Sequence, residues 1–208
     1  MGNETTGVKV KMCGMMRPED IAAANECKPD YVGFIFAANR KRTVTKEQVM
    51  ILRADLSKEI MAVGVFLNQE TDRIIENAKD CRLNMIQLHG NEEPSCIKVI
   101  KEQTGLPVIK AFIVKNAEDV KRANDSPADY ILLDSGAGSG ETFSWEILRE
   151  VKRPFFLAGG LNPGNVKDAM ERLHPYALDV SSGIETNGRK DPEKMIEFMR
   201  LVRQQAIG

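Results

Sequence analysis

Apolar residues along this chain gather in short, often β-branched runs, each followed by a stretch of helical patterning. The runs are VKVKM from Val8, YVGFIF from Tyr31, MAVGVFL from Met61, NMIQLH from Asn84, LPVIKAFIV from Leu106, YILLD from Tyr130, PFFLAG from Pro154 and YALDVS from Tyr176. Short, apolar and bounded by turn residues, they predict buried strands. The segments between them predict helices, several with a recognisable start. RPEDIAAANE opens near Pro18, NPGNVKDAMERL offers an Asn cap, and DPEKMIEFMRLV sets Asp191 before Pro192. The unit recurs about every 23 residues, and eight strands alternating with eight helices predict a closed (β/α)8 barrel. An open doubly wound sheet would carry its glycine fingerprint after the first strand. Here the glycine-rich turns follow strands six, seven and eight.

Side chains alternate along a strand, so parity sorts the barrel interior from the layer facing the helices. Val8, Val10 and Met12 suit the helix layer, which turns Lys11 and Cys13 inward. The same reading sends Ile86 and Leu88 outward and Gln87 and His89 inward. It also turns Lys110, Asp134 and Asp179 toward the barrel axis. Charges inside a barrel are costly unless paired, so Lys11, Lys110 and Asp179 could form no more than a balanced polar plug. Asp134 differs, because it ends its strand and opens a glycine-rich loop. In such barrels the working groups sit at the C-terminal ends of the strands.

Composition narrows the function classes. Of 208 residues 42% are hydrophobic and 28% charged, with 29 Lys and Arg against 30 Asp and Glu. A balance this even gives no global field for nucleic acid or an anionic membrane, and no apolar run is long enough to span a bilayer. The four cysteines, Cys13, Cys27, Cys81 and Cys96, are scattered without metal or disulfide spacing. The expectation is a cytoplasmic enzyme in one domain, residues 7–208, behind a disordered leader, 1–6. Monomer and homodimer are both open.

The longest connections, AANRKRTVTKEQ, SGAGSGETFSW and SSGIETNGRKDPEK, all follow strands, so they lie on the functional rim. Strand seven ends in AGGLNPGNV and strand eight in DVSSGIE. Glycine turns on these two neighbouring strands, with free backbone N–H groups, are the usual phosphate grip of barrel enzymes. Cys13 by position alone reads more readily as a small buried hydrophobe, the common fate of a free cysteine, than as a catalytic group.

In their order and spacing VKMCGM, DYVGFIF with the following RKRTV, VGVF, IQLHG, VIKAF, ILLDS, GSGETFSW, GGLNPGNV and ALDVSSGIE are specific. Over nearly the whole chain they resemble the phosphoribosylanthranilate isomerase family of tryptophan biosynthesis. The resemblance implies the (β/α)8 barrel and an Amadori rearrangement of a small-molecule phosphosugar, without metal or organic cofactor. It makes Cys13 the general base and Asp134 the general acid. Arg42 in RKRTV becomes the substrate contact, with Arg40 as the residue a shifted loop would put in its place. The phosphate would lie against Gly160, Ser182 and Gly183, mainly on backbone N–H groups. Two departures stand out: Ala158 replaces the family's serine before the double glycine, and the loop after Asp134 is shorter.

The chemistry suits these residue types. Opening a furanose needs an acid at the ring oxygen, and moving a proton off C2 needs a base on the opposite side of the sugar. An aspartic acid donates at neutral pH only where its surroundings hold the proton on, as burial does. A cysteine accepts a proton only as thiolate, which the helix start at RPED and the Lys11 ammonium are expected to favour. His89 reads as readily as a structural hydrogen-bonding group as a catalytic one, and Trp145 is expected to pack beneath the loop after strand six. Three other activities would look different. A histidine-pathway isomerase would carry an aspartate at position 13, and a Schiff-base aldolase would use Lys110 as nucleophile. A phosphosugar-binding module would need neither Cys13 nor Asp134.

Overall fold

The eight apolar runs become eight parallel strands: β1 (Lys9–Cys13), β2 (Tyr31–Ile35), β3 (Met61–Phe66), β4 (Met85–Leu88), β5 (Val108–Ile113), β6 (Tyr130–Asp134), β7 (Phe155–Ala158) and β8 (Ala177–Val180). In this computed structural model, which describes residues 7–37, 41–134 and 145–205, each strand pairs with the next. β8 returns to β1 with Lys11 opposite Asp179, which closes the barrel. The leader 1–6, Arg40 and the loop 135–144 lie outside the described residues, as does the Trp145 side chain.

The helices are α1 (Pro18–Cys27), α2 (Lys46–Asp55), α3 (Thr71–Asp80), α4 (Pro94–Thr104), α5 (Ala117–Asn124), α6 (Val166–Leu173) and α7 (Pro192–Gln205). The sequence predicts an eighth between β6 and β7. Among the described residues that place holds a 3-10 helix, Trp145–Glu150. Pro154 follows closely and disfavours helical geometry at Arg153, so little chain is left for a longer helix. Pro18 stands at the start of α1, and the Asp191 carboxylate accepts from the N–H groups of Glu193 and Lys194 at the start of α7. Asn165 precedes α6, but its side chain does not cap the helix; it turns back to the Gly160 carbonyl at 3.0 Å. No helix among the described residues is long and apolar enough to cross a membrane.

Two apolar clusters follow from strand alternation. One fills the space between sheet and helices and includes Val10, Met12, Ile86 and Leu88, as parity requires. The other occupies the barrel interior: Tyr31, Val63, Met85, Ile109, Ala111, Leu132, Phe156, Ala158 and Ala177. Ile109 and Ala111 overturn the inward placement of Lys110. Lys110 alternates with them and sits in register between Leu88 and Ile131, both in the helix layer. LPVIKAFIV is apolar on both faces, so parity there had nothing but the lysine to go on. The ammonium is satisfied on the outer side by Glu92 at 3.1 Å and by the Gly90 carbonyl.

Candidate active site

The C-terminal rim begins with Cys13 at the end of β1. Its ladder partner is Gly33, where a Cβ would stand 2.7 Å from the thiol sulfur, so a side chain there would displace it. Beneath the thiol, Lys11 is wholly enclosed and its Nζ lies 2.9 Å from Asp179 Oδ1. Burial works to strip the proton from Lys11, but Asp179 and the nearby thiol hold it on, and the ammonium ends more stable than usual. For Cys13 the balance runs against the thiolate. Burial pushes the thiol up, Lys11 pulls it part of the way down, and Asp179 pushes it up again. The N–H groups ahead of the helix start are turned to a different acceptor. The N–H groups of Met16 and Arg17 are already held by Asp20 Oδ2, at 2.9 and 3.1 Å.

Across the barrel mouth Asp134 ends β6, its side chain 27% exposed, with Oδ2 4.0 Å from His89 Nε2. His89 follows β4 and its Nδ1 meets Gln87 Nε2 at 2.9 Å. With the amide nitrogen as donor, the imidazole carries its own proton on Nε2, the side of Asp134. Partial burial in the mouth pulls the imidazolium down, against the upward pull of Asp134 and Asp179, which leaves His89 neutral at pH 7.

Arg42 lies beyond β2 and reaches back over Gly14, at the start of the loop after β1. Gly14 has φ +87°, and a Cβ there would come within 2.4 Å of Arg42 Cδ, so both the turn and the approach need glycine. The guanidinium forks onto Glu185, Nε to Oε1 at 2.6 Å and Nη2 to Oε2 at 2.7 Å. Glu185 also receives Lys190 Nζ at 2.7 Å. Neither Glu185 nor Lys190 stands out in the sequence by type, although Asn187-Gly188 between them is a strong hairpin signal. That turn folds Glu185–Thr186 (β9) against Arg189–Lys190 (β10), with Lys190 directly opposite Glu185.

The glycine turns meet as neighbours. A Cβ on Gly183 would fall 1.8 Å from the Leu161 carbonyl oxygen, so the loop after β8 lies hard against the loop after β7. Gly159 and Gly160 both have positive φ, and the Gly160 carbonyl is held by the amides of Asn162 and Asn165. Ser182 and Gly183 begin a 3-10 turn, whose first N–H groups have no acceptor within the turn. Gly160, Ser182 and Gly183 thus share one stretch of rim. Cys27 ends α1, Cys81 follows α3 and Cys96 lies in α4, away from the strand ends; burial pushes the first two thiols up to about 12 and about 11. Among the described residues no group of three His, Cys, Asp or Glu side chains is placed to hold a metal ion.

A closed parallel barrel with an acid, a thiol and glycine turns on its C-terminal rim defines an enzyme of the (β/α)8 class, and comparison with known proteins narrows it. The family model described as N-(5'phosphoribosyl)anthranilate (PRA) isomerase matches residues 10–201. The N-(5'-phosphoribosyl)anthranilate isomerase of Endomicrobium trichonymphae is 42% identical over 200 residues, covering 94% of this chain and 98% of its own. The phosphoribosyl anthranilate isomerase of Thermotoga maritima superposes with a TM-score of 0.87 at 37% identity, over 95% of this chain and 99% of that one. A phosphoribosyl anthranilate isomerase in complex with reduced 1-(o-carboxyphenylamino)-1-deoxyribulose 5-phosphate superposes at 0.85, with 36% identity and the same coverage. The chain belongs to the N-(5'-phosphoribosyl)anthranilate isomerase family, aldose–ketose isomerases of tryptophan biosynthesis.

Proposed function

We propose that this chain converts N-(5'-phosphoribosyl)anthranilate to 1-(2-carboxyphenylamino)-1-deoxyribulose 5-phosphate, with Asp134 as general acid and Cys13 as general base. Asp134 protonates the furanose ring oxygen, and the ring opens to a Schiff base whose nitrogen carries the positive charge. Cys13 then takes the proton from C2, giving the enolamine that tautomerises to the ketone. The observation that carries this reading is the placement of Cys13 and Asp134 at the C-terminal ends of β1 and β6, on one rim of a closed barrel.

A thiol that burial holds protonated becomes a base only when a cation reaches it. Ring opening creates such a cation beside C2, and the Lys11 ammonium lies beneath on the same strand face, so the thiolate is favoured at the step that needs it. The substrate carries two anionic groups. The glycine turns at Gly160, Ser182 and Gly183 suit the phosphate, whose oxygens accept from several backbone N–H groups at once. The planar guanidinium of Arg42 suits the anthranilate carboxylate, which it can meet with two parallel hydrogen bonds. Ala158 removes a hydroxyl near the phosphate turn but leaves its backbone donors in place.

The Schiff-base aldolase reading loses its nucleophile, since Lys110 faces the helices and is paired with Glu92. The direct test is to add purified protein to freshly prepared phosphoribosylanthranilate and follow the loss of its fluorescence. A folded protein that leaves the signal unchanged would overturn the assignment of activity.

A further inference from the structure

Glu185 is one of the most enclosed charges at this end of the barrel, its side chain 7% exposed, yet the proton transfers have no use for it. Its surroundings are built from both sides. Lys190, with a side chain 2% exposed, reaches Glu185 Oε1 at 2.7 Å and the Ser181 carbonyl at 2.9 Å. Arg42 occupies both carboxylate oxygens through Nε and Nη2. Burial works to protonate Glu185, but Arg42 and Lys190 outweigh it and keep the group a carboxylate. Ser181 in turn donates its hydroxyl to the Cys13 carbonyl at 2.9 Å. A continuous chain of polar contacts therefore runs from the loop after β2, through the hairpin after β8, to the end of β1.

A buried ion pair adds little stability over an apolar packing of the same volume, so stability alone does not account for this cluster. What a bidentate pair supplies is orientation. A guanidinium offers five N–H donors in one plane, and Glu185 takes those on the Nε–Nη2 side. The Nη1 edge is then presented in one direction. We propose that Glu185, braced by Lys190, is a positioning residue that fixes the Arg42 guanidinium so that its outer edge meets the substrate carboxylate. The inference rests on the reading of Arg42 as the carboxylate grip, and the two can fail separately.

The test measures kcat and KM for phosphoribosylanthranilate on the full chain, with Arg42→Ala, Glu185→Gln and the double variant, each checked for folding by thermal melting. Glu185→Gln is expected to raise KM about ten-fold, the scale of one charge-assisted hydrogen bond, with kcat changed by less than about three-fold. In the Arg42→Ala background the same change should add less than about two-fold, because Glu185 acts only through the guanidinium. If Arg42→Ala leaves KM unchanged, the grip reading falls and the positioning role falls with it. If Arg42→Ala raises KM but Glu185→Gln does not, or if their effects multiply in full, the grip stands and the positioning role is overturned. Should Glu185→Gln fail to fold, Glu185→Asp reads the same coupling, since it keeps the charge but withdraws it by one methylene. It must raise KM alone and be silent beside Arg42→Ala.

Discussion

The two ends of the barrel interior are made by the same strands and from opposite materials. β6 begins on Tyr130 and ends on Asp134; β4 begins on Met85 and passes through Gln87; β8 begins on Ala177 and passes through Asp179. At the N-terminal end aromatic rings close the barrel. Phe156 lies 5.6 Å from Tyr31 and 5.8 Å from Tyr130, and Tyr130 stacks on Tyr176 at 5.2 Å. Each such pair contributes about 0.5–1.5 kcal/mol beyond the area it buries. At the C-terminal end the interior is Lys11 with Asp179, a thiol, an amide, an imidazole and a carboxylate. Lys11 and Asp179 are held by pairing, which offsets the cost of burial rather than adding stability. One end supplies the closure that lets the other carry charge.

The largest effects are expected from variants that should touch only the charged end. Cys13→Ser removes the base while keeping size and fold, and turnover should fall about 10²- to 10⁴-fold. Asp134→Asn keeps shape but cannot give up a proton, and a loss of similar order is expected, with a reduced product analogue still bound. Lys11 already has Asp179 as its partner, so Asp134→Asn should not strand that buried cation. Turnover assays and thermal melts on both proteins check this. Normal turnover in either variant would remove that residue from the mechanism, and a melting loss matching the activity loss would make Asp134 scaffold.

The opposite outcome is expected at the aromatic end. Phe156→Ala should cost about 3–5 kcal/mol of stability, the usual range for emptying a buried phenylalanine site. Denaturant unfolding would read it directly. Activity per folded molecule should change little, because the lost ring lies with Tyr31 and Tyr130 at the strand starts. A variant of full stability would mean that the aromatic cluster does not close the barrel. A variant with normal stability and lost turnover would erase the contrast between the two ends.

The same contrast explains what could be read in the sequence. All eight strands were legible because fully buried strands are apolar throughout and recur at a regular spacing. Parity worked where a strand had one polar face, as at Lys11, Gln87 and Asp179. It failed at Lys110, in a strand apolar on both faces, where the partner that makes the lysine tolerable is Glu92 in the preceding loop. Glycine turns placed the rim loops. The residues that brace them were hidden, because Arg42 and Glu185 are 143 positions apart and meet only after β8 closes onto β1 and β2. Burial was hidden too. Lys11 beside Cys13 suggests a stabilised thiolate, but the enclosure that pushes the thiol the other way belongs to the assembled barrel.

The smallest expected effect separates the two ends by their response to pH. His89 at the charged end is held neutral, first by its partial burial, so its folded pKa lies below the unfolded value. The unfolded chain therefore binds the extra proton first as pH falls through about 6.5, and stability decreases on the acid side of that point. Tyr31 at the aromatic end is shifted the other way, by burial and by its hydroxyl contact with Tyr176 at 3.1 Å. There the folded chain keeps a proton that the unfolded chain loses above about pH 10, so stability decreases on the alkaline side. A single group can tilt the curve by at most about 1.4 kcal/mol per pH unit, so both slopes are modest. Urea midpoints between pH 5 and 7 should flatten in His89→Gln and keep their slope in Tyr31→Phe. Midpoints above pH 10 should lose part of their slope in Tyr31→Phe, the buried thiols and Tyr130 supplying the rest, and keep their slope in His89→Gln. If either variant flattened both limbs, the ends would be coupled through the barrel, and the separation of closure from chemistry would not hold.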